Sequence, residues 1–358
     1  MASRDSYAAV KGMAGVDRRR EFCRMSSSLK QACQRWNHWQ YRDARKGRSA
    51  EHWKNHAKKV RGLVEDAMKD TVVCERAVVL GAGFCTEVPL RSLCERFSRV
   101  TLVDVDTELI EAAVSRLGSF ELAKQVELLE GDVSLIIESL VARVEDVLES
   151  HPAGMPQDAA RSLIHSLLDS AAQGNATAVP LRVQDNSADL VFSSDVMSYA
   201  LSMPVSWMDV SYEKRFGDSL GLEERKGNGS LLHAMVESHF HEIMRILKPQ
   251  ASALVETCIA HGPIMNDQVL IAVQDPVDGK LTYMGIPNFG YDSVARKMAE
   301  LPHLIVNFMP RDKTLVLPES FRDWTVQISP LQPLMTPVGI VPAYYGNVFQ
   351  SIIVKKAG

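Results

Sequence analysis

The chain has 358 residues, of which 46% are hydrophobic and 23% charged, and these proportions are ordinary for a globular protein of one large or two modest domains. No apolar run approaches the roughly 18 to 20 residues that a membrane-spanning helix needs, and the polar first six residues lack the hydrophobic segment of a signal peptide. We therefore expect a cytoplasmic protein with no membrane partner, and its oligomeric state is left open.

The charge is unevenly distributed. Residues 1–70 carry 17 basic and 8 acidic side chains, a net charge of +9, whereas residues 71–358 carry 23 basic and 36 acidic side chains, a net charge of −13. The first 70 residues are therefore predicted to form a distinct basic unit. Apolar side chains at three- and four-residue spacing predict an amphipathic helix within it: Trp53, Ala57, Val60, Val64, Ala67 and Met68.

We interpret this basic helical unit as a lid, because a helix that ends just before the first strand would pack across the glycine-loop end of the sheet. The segment from Trp36 to Lys46 also mixes aromatic and basic side chains, as segments that bind single-stranded nucleic acid do. A docking surface for nucleic acid is therefore the alternative.

Strand and helix patterns alternate from residue 76 onward. Strands are predicted at 77–80, 100–103, 126–129, 188–192 and 252–258, with helices at about 89–97, 107–117 and 230–247. Such repeated strand-helix-strand units build a parallel sheet. Two alternating segments near the end, Trp324–Ile328 and Val348–Val354, have no adequate helix between them and should pair antiparallel at one edge.

The predicted fold class is α/β, a Rossmann-like doubly wound sheet of about seven strands, mostly parallel with an antiparallel C-terminal hairpin. Residues 1–70 form its helical N-terminal extension, and residues 71–358 form the main domain. Residues 134–184 interrupt the alternation with two helical stretches, so we expect an inserted helical hairpin there. Together with the segments at about 199–230 and 260–320, this insertion is predicted to build the pocket for a second substrate.

A glycine turn after the first strand is the main functional signal. The apolar run from Ala77 breaks at Gly81 and Gly83, and Asp104 follows Gly83 by 21 residues at the end of the second strand. A glycine turn lets backbone approach a ligand closely, and an acid at the tip of the next strand can accept hydrogen bonds from two ribose hydroxyls. By itself the pattern indicates a nucleotide-type cofactor without naming it.

Four features resemble the class I S-adenosylmethionine-dependent methyltransferases. Val-Leu-Gly81-Ala-Gly83 is similar to the family's glycine loop, and Val-Thr-Leu-Val-Asp104 to its ribose-binding second strand. Glu-Gly-Asp132 resembles the acid after strand three, and Asp-Leu-Val-Phe-Ser-Ser-Asp195 resembles the fourth strand with its active-site loop. The run from Arg245 to Pro249 and the terminal hairpin add support.

The resemblance implies a set of roles for the cofactor site. Backbone around the glycine loop would hold the amino-acid moiety of S-adenosylmethionine, Asp104 would accept from both ribose hydroxyls, and Asp132 would accept from the adenine amine. Two valines would sandwich the adenine ring. The residues assigned to the cofactor are Gly81, Ala82, Gly83, Asp104, Val105, Asp132, Val133 and Ser194.

The alternatives to these assignments follow from the residues themselves. A nicotinamide dehydrogenase needs a small third residue in its glycine pattern, and Thr86 occupies that place. Asp106 could compete with Asp104 for the ribose, but it can instead cap the next helix. A tight turn without a ligand would also use both glycines. Cys85 and Thr86 depart from the family's usual third glycine, so the path of the loop is open.

The catalytic residues are less sharply indicated. Asp195 and Tyr199 follow the fourth strand and could contact the acceptor or take its proton, or they could be a helix cap and a packed aromatic side chain. His261 follows the predicted fifth strand and could act as a general base or lie in a surface loop. No metal site is predicted, since His239 and His241 cannot share one helical face and no paired cysteines occur.

We therefore predict an enzyme, a methyltransferase that transfers the methyl group of S-adenosylmethionine to oxygen, nitrogen or sulfur of a small molecule and leaves S-adenosylhomocysteine. Two alternatives stay open. The first is an RNA or protein methyltransferase that docks its substrate on the basic N-terminal unit. The second is a catalytically silent partner protein that only binds the cofactor.

Overall fold

The computed structural model describes Lys30, Gln34, and residues 49–150, 156–175, 178–194, 196, 202–222 and 228–265, followed by the later strands up to Lys356. The helices are α1 (Ser49–Lys69), α2 (Leu90–Arg96), α3 (Thr107–Ser115), α4 (Phe120–Lys124), α5 (Ile137–Ser150), α6 (Gln157–Ser170), α7 (Ser202–Phe216) and α8 (Asn228–Ile246). None of the helices among these residues is long and apolar enough to cross a membrane.

The strands form one large sheet and one small hairpin. They are β1 (Arg76–Leu80), β2 (Arg99–Asp104), β3 (Val126–Glu130), β4 (Ala188–Ser194), β5 (Leu247–Met265), β6 (Gln268–Gln274), β7 (Leu281–Pro287), β8 (Leu315–Val316), β9 (Asp323–Pro330), β10 (Leu334–Thr336), β11 (Gly339–Val341) and β12 (Tyr344–Lys356). The β10–β11 hairpin stands apart from the large sheet.

The central strands follow the order β3-β2-β1-β4-β5-β12-β9. The first five run parallel, and β12 runs antiparallel to both β5 and β9. The predicted pairing of the two C-terminal segments is confirmed, because Trp324 lies opposite Gln350 and Val326 opposite Val348. The five predicted parallel strands are confirmed as well.

Helices cover both faces of the sheet, as a doubly wound fold requires. On one face α1, α2 and α3 pack on β1, β2 and β4 through a cluster of buried apolar side chains that includes Val60, Leu93 and Ile110. On the other face α8 packs through Val236, Phe240 and Ile243. The inserted hairpin of α5 and α6 builds a third cluster with α7.

Helix α7 is absent from our sequence prediction, which placed one long helix between residues 199 and 251. The structure has two helices there, α7 and α8. The signal was nevertheless present, since Val205, Met208 and Tyr212 recur at helical spacing and all three are buried. Pro204 within the first turn obscured the pattern, although proline is tolerated at that place in a helix.

Strand β5 is much longer than the predicted 252–258. It begins directly after α8 at Leu247 and runs nine residues past Glu256, the last residue that pairs with β4. Beyond that level it pairs with β12 as far as Ile264, opposite Tyr344, and then turns into β6. The strand therefore projects from the edge of the sheet at which β1 to β4 end.

Candidate active site

The glycine loop after β1 is tied to the end of β2. The backbone N–H groups of Gly81 and Ala82 both donate to the carbonyl oxygen of Val103, at 3.0 and 3.1 Å. Gly81 has a φ of +69°, a region that favours glycine, and a Cβ there would lie 2.6 Å from Val196 Cγ2 and 3.0 Å from the Ser194 carbonyl oxygen. Glycine is thus required where the segment after β4 packs on the loop.

Asp104 is held at the tip of β2 by the glycine loop itself. Its Oδ2 accepts from the backbone N–H of Gly83 at 2.8 Å, and its Oδ1 accepts from the backbone N–H of Asp106 at 2.9 Å. Burial raises the pKa of Asp104 to about 6, against the lowering effect of these two hydrogen bonds. An ionised carboxylate has about four acceptor sites, so both oxygens keep capacity for ligand hydroxyls.

Asp106 has the helix-capping role that was the alternative to ribose binding. Asp106 is the N-cap of α3, and its side chain accepts from the backbone N–H of Glu108 at 3.2 Å. This is the capping role that we expected for it. Asp104 is therefore the carboxylate that stands between the glycine loop and the end of β2.

Asp132 follows β3 and has a structural role that sequence reasoning missed. Its oxygens accept from the backbone N–H groups of Ser134 and Glu138, both at 2.9 Å, and so fix the start of α5. Burial raises its pKa, against the lowering effect of its hydrogen bonds to Ser134 and the helix. The carboxylate of Asp132 is thus engaged first with the start of α5, and a ligand amine would share its oxygens with these donors.

The ends of β2 and β3 meet directly. The backbone N–H of Gly131 donates to the Asp104 carbonyl oxygen at 3.2 Å, so the two acidic loops are in contact. Val105 and Val133, the two predicted adenine neighbours, are both half-buried and follow adjacent strands. Ser194, at the end of β4, is half-buried too. The described cofactor candidates are thus gathered at one edge of the sheet.

A buried histidine joins two of these loops. His239 on α8 lies 2.8 Å from Ser193 Oγ through Nε2 and 2.7 Å from the Val133 carbonyl oxygen through Nδ1. Burial lowers its pKa to about 4, so the imidazole is neutral at pH 7. The sequence signalled this residue only as one of several histidines on a predicted helix.

A second buried histidine fastens α1 to the sheet. His56 Nε2 lies 3.3 Å from Glu256 Oε1, at the level where β4 ends. Burial lowers the pKa of His56 to about 4, and the charge of Lys59 acts in the same direction. We therefore treat the imidazole as neutral at pH 7, and the contact as one between a neutral ring and a carboxyl group. Neither residue was singled out in the sequence.

The neutral state of His56 predicts an acid-sensitive stability. Its folded-state pKa of about 4 lies below its ordinary value of 6.5, so its contribution is complete above pH 6.5 and is lost as the pH falls towards 4. In urea titrations at about pH 7 and about pH 4.5, we expect wild type to lose roughly 2 kcal/mol more free energy of unfolding than His56→Gln. An equal loss in both proteins would contradict the prediction.

The predicted catalytic residues fall largely outside the described part of the chain. Asp195 and Tyr199 both lie outside the described residues, and their roles stay predictions. His261 lies within β5, opposite Asn347 of β12, and not in a loop after the strand as we expected. The backbone pairing of β5 with β12 continues as far as Ile264, so the strand does not end at residue 258 as predicted. The side chain of His261 is outside the description as well.

Comparisons with known proteins return structures but no sequence family. No protein-family model matches the chain, and no curated protein matches it. Solved structures that match include the YcgJ protein of Bacillus subtilis, with 11% identity, 84% of this chain, 99% of that chain and a TM-score of 0.37. The N-methyltransferase NodS of Bradyrhizobium japonicum, in complex with S-adenosylhomocysteine, matches with 9% identity, 84% of this chain, 87% of that chain and a TM-score of 0.33.

A third match is SpnF, a [4+2]-cyclase, with 14% identity, 55% of this chain, 44% of that chain and a TM-score of 0.29. The chain spans 44 to 59% of the length of SpnF and two other matched structures. The deciding observation is in the centre of the sheet, where β3, β2, β1, β4 and β5 run parallel, β12 runs antiparallel beside β5, and the strand order reverses between β1 and β4. The fold is Rossmann-like, as the resemblance to class I methyltransferases implies.

In a Rossmann-like fold the ligand crevice lies outside the carboxyl ends of the strands, where the strand order reverses. Here that point lies between β1 and β4, beside Gly81 and Ser194. The loops after β1, β2 and β3 would line one half of such a crevice, and the ends of β4 and β5 would line the other. Among the described residues, no group of three or more histidine, cysteine or acidic side chains is placed to hold a metal ion.

Proposed function

We propose that the chain is an S-adenosylmethionine-dependent methyltransferase that acts on a small molecule. The observation that carries the proposal is the hydrogen bond from Gly83 N–H to the buried carboxylate of Asp104. It joins the glycine loop to the acid at the next strand tip, so that an amino-acid moiety and a ribose would be held side by side. Asp132 and the two valines would supply the adenine end.

When bound, S-adenosylmethionine supplies an electrophilic methyl group, so the protein's contribution is chiefly positioning. The backbone of Gly81 to Gly83 would hold the amino-acid end, and Asp104 would fix the ribose. Val105 and Val133 would close on the two faces of the adenine and exclude water from it. Ser194 lies at the strand-order reversal, where the methyl group would face the other half of the crevice.

The acceptor would bind over the ends of β4 and β5. The buried pair of His56 and Glu256 lies at this level of the sheet. A hydroxyl or amine acceptor must lose a proton, and we propose Asp195, Tyr199 and His261 as groups that contact it or take that proton. The segments 199–230 and 260–320 are proposed to complete the pocket.

The N-terminal unit is proposed as a lid on this crevice. Its described residues contact three carboxyl-end segments: Lys30 Nζ lies 2.8 Å from Glu130 Oε2 at the end of β3, and Arg61 Nε donates to the Thr86 carbonyl oxygen at 3.0 Å. His56 supplies the third contact, on β5. Helix α1 itself packs on one face of the sheet. The three contacts at the strand ends nevertheless favour a lid over a freely exposed docking surface, and an enclosed crevice suits a small acceptor.

The ion pair between Lys30 and Glu130 should slow the release of the cofactor product. The carboxylate of Glu130 is almost fully buried, so its pairing is worth more than that of an exposed pair. For Lys30→Gln we expect S-adenosylhomocysteine to dissociate about five- to tenfold faster in stopped-flow experiments. Lys69→Gln is the matched control, because it removes an exposed ion pair with Asp66 on α1. An unchanged dissociation rate of S-adenosylhomocysteine from Lys30→Gln would contradict the proposal that this unit is a lid.

The function is tested by calorimetry with S-adenosylhomocysteine and by transfer of a radiolabelled methyl group. We expect stoichiometric binding of S-adenosylhomocysteine and label on a small-molecule fraction. Label that appears only on RNA or protein, together with a strongly salt-dependent affinity of the enzyme for that macromolecule, would favour the docking alternative. Binding without any transfer would favour a silent partner protein, and absence of binding would overturn the proposal.

A further inference from the structure

Helix α8 contacts two of the carboxyl-end segments through one buried side chain. Ser193 and His239 are both buried, and each has at most 1% of its surface exposed. His239 contacts the loop after β3 and the end of β4 together, although β1 and β2 separate these strands in the sheet. One side chain therefore connects the adenine half of the crevice to the strand at which the order reverses.

The chemistry of the two contacts fixes the direction of both hydrogen bonds. A backbone carbonyl can only accept, so Nδ1 of His239 must carry the proton that is donated to Val133. In a neutral ring Nε2 then has a lone pair and accepts from the hydroxyl of Ser193. The result is a directed chain in which Ser193 donates to His239 and His239 donates to Val133.

This chain fixes the orientation of one peptide group. With its carbonyl oxygen bound to His239, the peptide after Val133 cannot turn its carbonyl towards the crevice. Asp132 is held on the other side of Val133 by the N–H groups of Ser134 and Glu138. Both flanks of Val133 are thus pinned, and a residue pinned in this way is suited to define the shape of a flat ligand slot.

We propose that Ser193 and His239 are positioning residues that hold residues 131–134 in the conformation that recognises adenine, and that they thereby set the selectivity of the site for an adenine nucleoside. The inference rests on the proposed function, because it assigns the loop after β3 to the adenine of the cofactor. Neither residue is required to touch the ligand. This positioning role is tested by the ratio of the affinities for two purine nucleosides, because a general loss of protein stability would not change that ratio.

The experiment compares S-adenosylhomocysteine with S-inosylhomocysteine, in which a carbonyl oxygen replaces the exocyclic amine. For His239→Phe, which can neither donate to Val133 nor accept from Ser193, we expect affinity for S-adenosylhomocysteine to fall about tenfold. Affinity for the inosyl analogue should change less than about threefold, so the ratio of the affinities for S-adenosylhomocysteine and S-inosylhomocysteine should become smaller. These expectations correspond to the loss of one to two buried hydrogen bonds.

Two further variants separate positioning from stability. His239→Gln keeps a donor and an acceptor on one side chain and should restore most of the discrimination. Met244→Ala opens a cavity in the apolar cluster of α8 while it keeps both hydrogen bonds of His239, and it should lower the melting temperature while it leaves the affinity ratio unchanged.

The outcomes are distinct. If His239→Phe and Met244→Ala change the affinity ratio equally at a matched loss of melting temperature, the role is structural and the inference is overturned. If His239→Phe leaves the ratio at the wild-type value, the loop after β3 does not recognise adenine, and the inference fails while binding stands. If wild type binds neither ligand, the proposed function fails with it.

Discussion

Asp104→Asn is expected to weaken the binding of S-adenosylhomocysteine about 100-fold, which corresponds to about 3 kcal/mol. Asparagine keeps the size of the side chain but replaces one accepting oxygen with a donor. It can accept from either Gly83 or Asp106 but not from both, and it would offer a ligand one accepting oxygen instead of two. Isothermal calorimetry on the purified variant measures the effect.

The carboxylate also predicts the pH dependence of binding. Because the pKa of Asp104 is raised to about 6, its acceptor form is lost as the pH falls through 6, and wild-type affinity should fall with it. Asp106→Asn is the matched control, since asparagine caps a helix as well as aspartate does. Near-wild-type affinity of Asp104→Asn for S-adenosylhomocysteine would show that Asp104 does not bind the cofactor.

Gly81→Ala is expected to lower the free energy of unfolding by about 3 kcal/mol. A φ of +69° costs a residue with a Cβ about 1 to 2 kcal/mol, and contact of that Cβ with Val196 and the Ser194 carbonyl oxygen adds about 1 to 3 kcal/mol. The displaced loop would also misplace Gly83 and so weaken binding. Urea denaturation and calorimetry with S-adenosylhomocysteine measure the two effects.

Two other glycines separate the contributions to this loss. Gly118 has a φ of +63° with no atom within 4 Å of an added Cβ, so Gly118→Ala should show the backbone cost alone. Gly62 lies inside α1 with open space around it, and Gly62→Ala should raise stability by about 0.5 to 1 kcal/mol. If Gly81→Ala costs no more than Gly118→Ala, the loop after β4 does not pack on Gly81 as described.

Much of the fold could be predicted because its signals are local. The strands from β1 to β4 are apolar runs between turn residues, and Gly118 stands with positive φ shortly after α3, where glycine commonly ends a helix. The glycine loop and Asp104 could be predicted for the same reason, since their spacing along the chain is short. Each of these features is contained in a short segment of the sequence, and Gly83 and Asp104 are 21 residues apart.

The rest depends on contacts between distant residues. Nothing near His239 in the sequence indicates that its ring would meet both Val133 and Ser193, which are 106 and 46 residues away. His56 and Glu256 are separated by 200 residues, and nothing near either position in the sequence indicates that the two side chains would meet. Polar groups on an apolar helix face are the available signal, because a buried polar side chain requires a partner.

The two halves of β5 differ in how strongly the neighbouring strands constrain their sequence. Up to Glu256 the strand is locked between β4 and β12, so its register is set by the core. Its last nine residues extend about 30 Å beyond that level and pair only with β12 and β6. If the proposed function holds, exchange of the part of β5 after Glu256 between related chains should alter the acceptor side while it leaves cofactor binding intact, so Glu256 is the junction that we would choose for chimeric proteins.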